Sequence, residues 1–338
     1  MLFHKESNNP EYIQEPVSVI ICARNEETRL QKTLPPILEQ EYPNYEVIVV
    51  NDDSEDNTNK FLTELKKHYS HLRILDHKKT QEGKKEALEA GVKFASNENI
   101  IVTDADCKPQ TNKWLYKMSA GLAKKNLVLG YGGHPSINTL TGLLSRFDAF
   151  YVAFQYVNYA LSGLSYMGTG RNMGYSKNEF LRKDPFKGDK TASGDDDLLV
   201  QKLRINPTIC ISKECHTISP PPLTIKQWCK RKMRHFTTST SYTPLYRVLL
   251  TLYPLSLNIF WVCTFILLYR GATNIQLILF IFFIRMSIQI ITFKAASEFL
   301  QEKWVVYVAP VLEFLLINLY SVLYLWVPFT NKSLWQTN

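Results

Sequence analysis

Apolar residues are distributed very unevenly along this chain. In residues 1–240 they come as short runs between charged and polar stretches, whereas residues 245–329 are apolar almost throughout. Three of the later stretches, near 245–269, 274–293 and 304–329, have the roughly 20 residues that a bilayer-crossing helix needs. A helix of that length in a water-soluble core would carry a polar face, and these carry almost none. The pattern predicts three transmembrane helices and a short tail over 330–338.

The first half follows a different rhythm. "VSVIICA" (17–23), "EVIVV" (46–50), "LRIL" (72–75) and "NIIVT" (99–103) are β-branched runs that read as strands. Between them, "EETRLQKTLPPILEQ", "NTNKFLTELKKHY" and "KKEALEAGVKFA" repeat their apolar positions at helical spacing. Strands alternating with helices predict an α/β fold, a Rossmann-like, mostly parallel sheet flanked by helices. Further on, "LTGLLSRFDAFYVAFQYV" places apolar residues at 140, 143, 144, 147, 150, 151, 154 and 157, one continuous helical stripe. It reads as a helix over about 139–160 lying at the membrane interface; packing into a core is the alternative that periodicity leaves open. A second interfacial helix is expected over about 224–240, closing a domain of residues 1–240.

Composition adds orientation. The 338-residue chain carries 39 Lys and Arg against 31 Asp and Glu, a formal charge of +8. Lys226, Lys230, Arg231, Lys232 and Arg234 precede the first apolar segment, and Lys294 and Lys303 lie between the second and third; Arg270 and Lys332 lie on the opposite side. The balance places the large polar part in the cytoplasm, in a membrane of the bacterial inner-membrane type. "MLFHKESNNPEYIQEPVSVI" has no apolar run ahead of a cleavage site, so no secretory signal is expected. A basic stretch confined to the approach to a membrane fits anionic lipid and not nucleic acid, which calls for basic residues interleaved with aromatics over a broad face. The six cysteines form no Cys-x-x-Cys pair, and cytoplasmic placement implies reduced, mostly buried thiols.

Ligands of parallel α/β sheets bind beyond the carboxyl ends of the strands, and here those ends are acidic. "NDDSEDNT" follows the second strand and "DADCKP" the fourth. Asp104 and Asp106, one residue apart after a buried strand, repel one another unless a cation neutralises them. Two hard oxygen ligands suit Mg2+ or Mn2+; two solvated turn aspartates are the alternative. No P-loop and no Gly-x-Gly-x-x-Gly follows any strand. A third acidic run, "SGDDDLLV" (193–200), opens a helical segment, whose exposed amides favour negative charge.

"PVSVIICARNEE", "EVIVVNDDSEDNT", "GKKEAL", "VTDADCKP", "GTGRNMGYSK", "SGDDDLLV" and "PPLTIKQWCKRKMRH" occur in an order that resembles glycosyltransferase family 2 over residues 16–240. The apolar tail resembles the integral-membrane branch with ceramide glucosyltransferase, hyaluronan synthase and cellulose synthase. The resemblance implies a GT-A-like fold and sugar transfer from a nucleotide diphosphate sugar, UDP-linked, to a lipid or lipid-linked acceptor. It implies that Ala23, Arg24 and Glu26 line the nucleotide and Asp52 holds the base, with Asn51 in place of the family's first aspartate and Asp53 in place of a glycine. Lys84 matches a lysine near the donor phosphates. By the same resemblance, Asp104 is expected to contact nucleotide or sugar and, with Asp106, to hold the metal. Arg171 and Asn172 fall where donor-sugar and acceptor contacts are made. Asp196 matches the catalytic base and Asp195 its neighbour. The family's Gln-x-x-Arg-Trp becomes Arg231, Arg234 and His235, although Gln227 with Lys230 and Arg231 offers a second register. The tryptophan's replacement bears on the acceptor platform and on polymer synthesis, the alternative within the class. A non-catalytic membrane adaptor that binds nucleotide or anionic lipid is the alternative outside it.

Two charges lie inside the apolar segments. Arg285 and Glu313 come at similar depths of the second and third helices if these run antiparallel, which predicts an ion pair, since a pair costs far less than two lone charges.

Overall fold

The computed structural model describes residues 14–188, 191–271 and 274–329; the 330–338 tail lies outside them. The chain divides into two compact units, one ending at Leu223 and the next beginning at Thr224.

The first unit is built on a seven-stranded sheet. Strands β1 (Val17–Ala23), β2 (Tyr45–Asp52), β3 (Leu72–His77) and β4 (Asn99–Val102) are mutually parallel. They run in the order β3-β2-β1-β4 and alternate with helices α1 (Glu27–Thr33), α2 (Pro35–Leu38), α3 (Thr58–Leu65) and α4 (Lys85–Phe94). The continuous Val/Ile runs are explained by cover on both faces: every residue from Val47 to Val50 is fully buried. The first predicted helix is two, because Pro35 and Pro36 cannot continue α1 and instead start α2.

Beyond β4 the chain adds β5 (Lys108–Pro109), α5 (Trp114–Lys125), β6 (Leu127–Gly130), β7 (Gly132–Gly133), α6 (Leu140–Leu161), β8 (Met173–Ser176), α7 (Lys177–Lys183), α8 (Asp197–Leu203), β9 (Thr208–Cys210) and β10 (Thr217–Ile218). Strand β8 is antiparallel to both β4 and β6, and β9 closes the sheet parallel to β6. A small sheet, β5-β10-β7, stands apart. This mostly parallel sheet flanked by helices is GT-A-like, as expected.

The stripe on α6 is buried at Phe147, Phe150, Tyr151 and Val157, and Tyr156 donates a hydrogen bond to the Gly130 carbonyl at 2.6 Å. Core packing therefore accounts for the middle of that helix, while Leu140 at its start is exposed. The cysteines depart from expectation. Cys210 and Cys215 are joined as a disulfide, and Cys22, Cys107, Cys229 and Cys263 are free. A spacing of five is closed by the turn between β9 and the Lys213–Cys215 helical turn, which a search for Cys-x-x-Cys does not find.

The second unit holds α9 (Ile225–Ser239), α10 (Pro244–Tyr269), α11 (Ile275–Phe299) and α12 (Val305–Trp326). The last three are long and apolar enough to cross a membrane. The amphipathic α9 groups with them: Trp228 stacks on Tyr320 and the Lys232 ammonium lies 5.1 Å from the same ring. Thr224 and Gln227 form a capping box at its start, each side chain bonded to the other's backbone N–H at 3.2 Å.

Within this unit the expected ion pair forms. Glu313, wholly buried, accepts from Arg285, from Gln289 Nε2 at 2.8 Å and from Tyr253 Oη at 2.7 Å. Arg285 also donates to Gln289 Oε1 at 2.7 Å, and its guanidinium lies 5.8 Å from the rings of Phe260 and Trp261. One acidic side chain thus gathers partners from α10 and α11.

Candidate active site

The carboxyl ends of β1, β2 and β4 fall side by side because the strands are parallel and adjacent. The loop after β1 is stitched to the loop after β2. Asn25 adopts φ +56° and donates its N–H to Ser54 Oγ at 3.1 Å, and its Oδ1 accepts from the Glu55 N–H at 2.8 Å. Asp53, where the resemblance expects glycine, has φ +59°, so the left-handed turn survives; aspartate is among the few residues that tolerate it. Asn51 faces Asp76 across the strand pair and donates to it at 2.8 Å. An aspartate at 51 would set two carboxylates against each other, which accounts for the amide.

Ala23 ends β1 and is buried. Arg24 is exposed, its nearest acid Glu55 at 3.9 Å. Glu26 accepts two bonds from Arg29 at 2.7 and 2.8 Å. Its carboxyl is pushed above the usual range by loss of water, against Arg29, with Asp106 and Asp104 adding to the rise. Asp52 is buried, with His77 Nδ1 at 2.9 Å and Lys79 Nζ at 2.7 Å, and the same Nζ donates to the Gly83 carbonyl at 2.6 Å.

Asp104 and Asp106 leave β4 half-exposed, with Cys107 between them and the core. Ligand atoms of these three lie within 4.8 Å of one another. Cys107 is buried, its thiol is pushed far up by burial and by the two carboxylates, and its Sγ–H donates to Asp106 Oδ1 at 3.3 Å. It therefore stays a neutral donor. The remaining pair of hard, partly open carboxylates fits Mg2+ or Mn2+.

The acidic run at 195–197 is resolved residue by residue. Asp195 Oδ2 pairs with Lys84 Nζ at 2.8 Å. Asp196 caps α8, accepting from the Asp197 N–H at 2.9 Å and, through its other oxygen, from the Gly170 N–H at 3.0 Å. Asp197 turns inward, is buried, and accepts from the Leu198 N–H at 3.1 Å. Burial and the charge of Asp195 raise the Asp196 carboxyl above its usual range, while Lys84 and the two N–H bonds oppose the rise.

Lys84, which lines the cleft, is engaged by two carboxylates. Its Nζ bridges Asp104 Oδ1, 2.5 Å, and Asp195. Burial alone would depress this ammonium, but the two carboxylates outweigh it and hold it well above its usual range. The cleft they share is lined by Cys22, Thr103, Asp104, Gly170 and Asp195 as well as Lys84. Burial pushes the Cys22 thiol up to about 12, so it is neutral there.

The glycine-rich stretch divides in role. Asn172 is fully buried and structural: it donates to the carbonyls of Tyr131 at 2.8 Å and Cys215 at 2.6 Å and accepts from Trp114 Nε1 at 2.9 Å. Arg171 is half-buried, with Thr169 Oγ1 at 3.3 Å, Ser219 Oγ at 3.4 Å and His134 Nε2 at 3.5 Å. Arg231, Arg234 and His235 lie half-buried on α9 in the second unit. Gln227, offered by the other register, is engaged in the capping box.

Residues 18–187, half of the chain, match the family model described as glycosyl transferase family 2. Among curated relatives, the poly-beta-1,6-N-acetyl-D-glucosamine synthase of Staphylococcus epidermidis is 34% identical over 133 residues, 39% of this chain and 31% of that protein. The beta-monoglucosyldiacylglycerol synthase of Trichormus variabilis is 35% identical over 103 residues, 30% of this chain and 22% of that one. The chain thus aligns with less than a third of the length of either. In fold it resembles the mannosyltransferase PcManGT from Pyrobaculum calidifontis, in complex with GDP-Man and Mn2+, with a TM-score of 0.59 and 17% identity over 96% of this chain and 92% of that one.

Proposed function

Because the chain belongs to glycosyl transferase family 2, we propose that it moves a sugar, with inversion, from a nucleotide diphosphate sugar to a hydroxyl of a lipid or lipid-linked acceptor. The observation that carries this reading is that Asp104 and Asp195 line one cleft beyond the ends of parallel strands and share Lys84 there, while Asp196 is bonded to the N–H of Gly170 in the same lining. Asp104 and Asp106 would hold Mg2+ or Mn2+, which would supply positive charge for the departing diphosphate; the PcManGT complex contains Mn2+.

Each Asp196 oxygen accepts one backbone N–H and keeps a second lone pair for the acceptor O–H. The base is thereby aimed without being used up. The acceptor oxygen bonds to the anomeric carbon as its proton passes to Asp196. The carbon–phosphate oxygen bond breaks, and the nucleoside diphosphate leaves with the electron pair. A second nucleophile would be required for retention. Asp195, the neighbouring carboxylate, is paired with Lys84, which favours Asp196 as the one base of an in-line displacement. A rise in the Asp196 pKa brings its basicity closer to working pH.

The three apolar helices would anchor the enzyme in a membrane, with the sheet unit on the cytoplasmic side and α9, carrying Arg231, Arg234 and His235, at the interface. The diacylglycerol-acting relative supports a lipid acceptor. The Staphylococcus relative favours a second reading, polysaccharide synthesis, whose product would be a ladder instead of a single added sugar.

The test is purified protein in detergent with UDP- and GDP-sugars, Mn2+ and bacterial lipid extract. Asp196→Asn is expected to lower transfer by about 10²–10⁴-fold while nucleotide affinity survives. Wild type and variant without distinguishable turnover would leave a non-catalytic adaptor.

A further inference from the structure

We propose that Gly83, Lys84 and Lys85 form a positioning clasp that fixes the base-bearing segment 191–196 against the metal-bearing end of β4, so that Lys84 acts on the reaction through Asp195 and Asp196 and not on the donor phosphates. The proposal rests on the transferase reading above. Its support comes from three consecutive residues that all engage the same segment. The Gly83 backbone packs so tightly on Ala192 that an added Cβ would lie 2.1 Å from the Ala192 carbonyl oxygen, and its φ of +94° suits glycine alone. Lys85 Nζ donates to both the carbonyl and Oγ1 of Thr191, each at 2.8 Å. Between them, Lys84 Nζ reaches Asp195 at 2.8 Å and Asp104 at 2.5 Å.

Gly170 completes the arrangement. A Cβ there would stand 2.9 Å from Lys84 Nζ, 3.3 Å from Asp195 Oδ2 and 3.7 Å from Asp104 Oδ1, so glycine leaves room for the ion triad. The same residue's N–H holds Asp196. The ammonium has short contacts to two carboxylates from different elements, and its backbone carbonyl starts α4 by accepting from the Leu88 N–H at 2.9 Å. It is a fixed strut. Losing it would let the 191–196 segment shift relative to Asp104, and a displacement near 1 Å costs on the order of 10²-fold in rate.

The experiment compares wild type, Lys84→Met, Asp195→Asn and the double variant. Turnover is measured with UDP-glucose, UDP-N-acetylglucosamine and GDP-mannose, and binding of UDP with Mn2+ by calorimetry. Lys84→Met should lower kcat by about 30-fold or more, with UDP affinity within threefold of wild type. The double variant should be no worse than the poorer single, because both remove the same strut. Should Lys84→Met fail to fold, Asp195→Asn opens the clasp from the other side and must show the same split between kcat and affinity. A tenfold loss of UDP affinity with kcat retained, or additive losses in the double variant, would overturn the clasp and leave the transferase reading standing. A wild type that turns over none of these donors would overturn both.

Discussion

Glu313 is the most deeply buried charge in the apolar unit, and its environment sets a measurable cost. Its two oxygens take three donors, Arg285, Gln289 and Tyr253. Arg285→Leu removes the only cation that contacts it among the described residues, and Glu313→Leu strands Arg285 with Gln289 and two aromatic rings. Removing one member of a buried pair costs about 3–5 kcal/mol, because the other charge stays behind. The double substitution to leucine leaves no charge; what remains is a weakened set of hydrogen bonds at Gln289 and Tyr253, about 1 kcal/mol each. It should therefore cost no more than the worse single variant, a coupling of about 3 kcal/mol or more. Unfolding in a mild detergent, followed by SDS titration, reads the three losses, and Tm reads them at about 2–4 °C per kcal/mol. Independent, summed losses would refute the pairing and with it the claim that this cluster fastens α10, α11 and α12 together.

Two further outcomes follow from the sheet unit. Asp196 must be ionised to accept a proton, and its pKa is raised by burial and by Asp195. The acid limb of kcat/KM should therefore lie above the ordinary aspartate value of about 4, and a limb at that value would refute the assignment. The stability sign is the reverse. The fold favours the protonated form, so this contribution is full below the unfolded pKa and is lost as pH rises through the folded one. Asn172→Ala should cost about 2–4 kcal/mol in denaturant melts, since it strands the buried Trp114 N–H and the Cys215 carbonyl, while the Tyr131 carbonyl keeps the Thr217 N–H; a loss under about 1 kcal/mol would show that water replaces the amide.

Much of this was legible because strand and helix periods differ. The four parallel strands begin within a residue of the β-branched runs that announce them, and the clustered acids after β2 and β4 mark the ligand edge. What stayed hidden depends on contacts between distant segments. "GTGRNMGYSK" looks like a glycine-rich loop, yet Met173–Ser176 is a sheet strand. Gly174 is small because the Ile100 carbonyl passes 2.8 Å from where a Cβ would sit. Asn172 looked like a ligand contact and is a core bracket, since only the fold shows that Trp114 lies beside it. The α6 stripe could not tell lipid from protein, because both accept the same apolar periodicity. The two carboxylates that Lys84 bridges come from segments 91 residues apart in the chain, Asp104 and Asp195, and only the fold brings them together.

The segment from His77 to Lys85 explains how so many acids coexist at one edge. Three of its four lysines, Lys79, Lys84 and Lys85, meet acidic or polar groups that arrive from other elements. Lys79 takes Asp52 from β2, Lys84 takes Asp104 from β4 and Asp195 from the α8 approach, and Lys85 takes Thr191 just before it. Lys79 also binds the Gly83 carbonyl, so the contacts to Asp52 and to the 191–196 segment share one short, internally braced stretch. Three adjacent aspartates at 195–197 are tolerable on this arrangement because each is answered separately, the first by a lysine, the second by two backbone N–H groups, the third by the turn of its own helix. The repulsion that would otherwise open the 191–196 segment is thereby converted into a constraint on where Asp196 points, a property that the role of general base proposed for it requires.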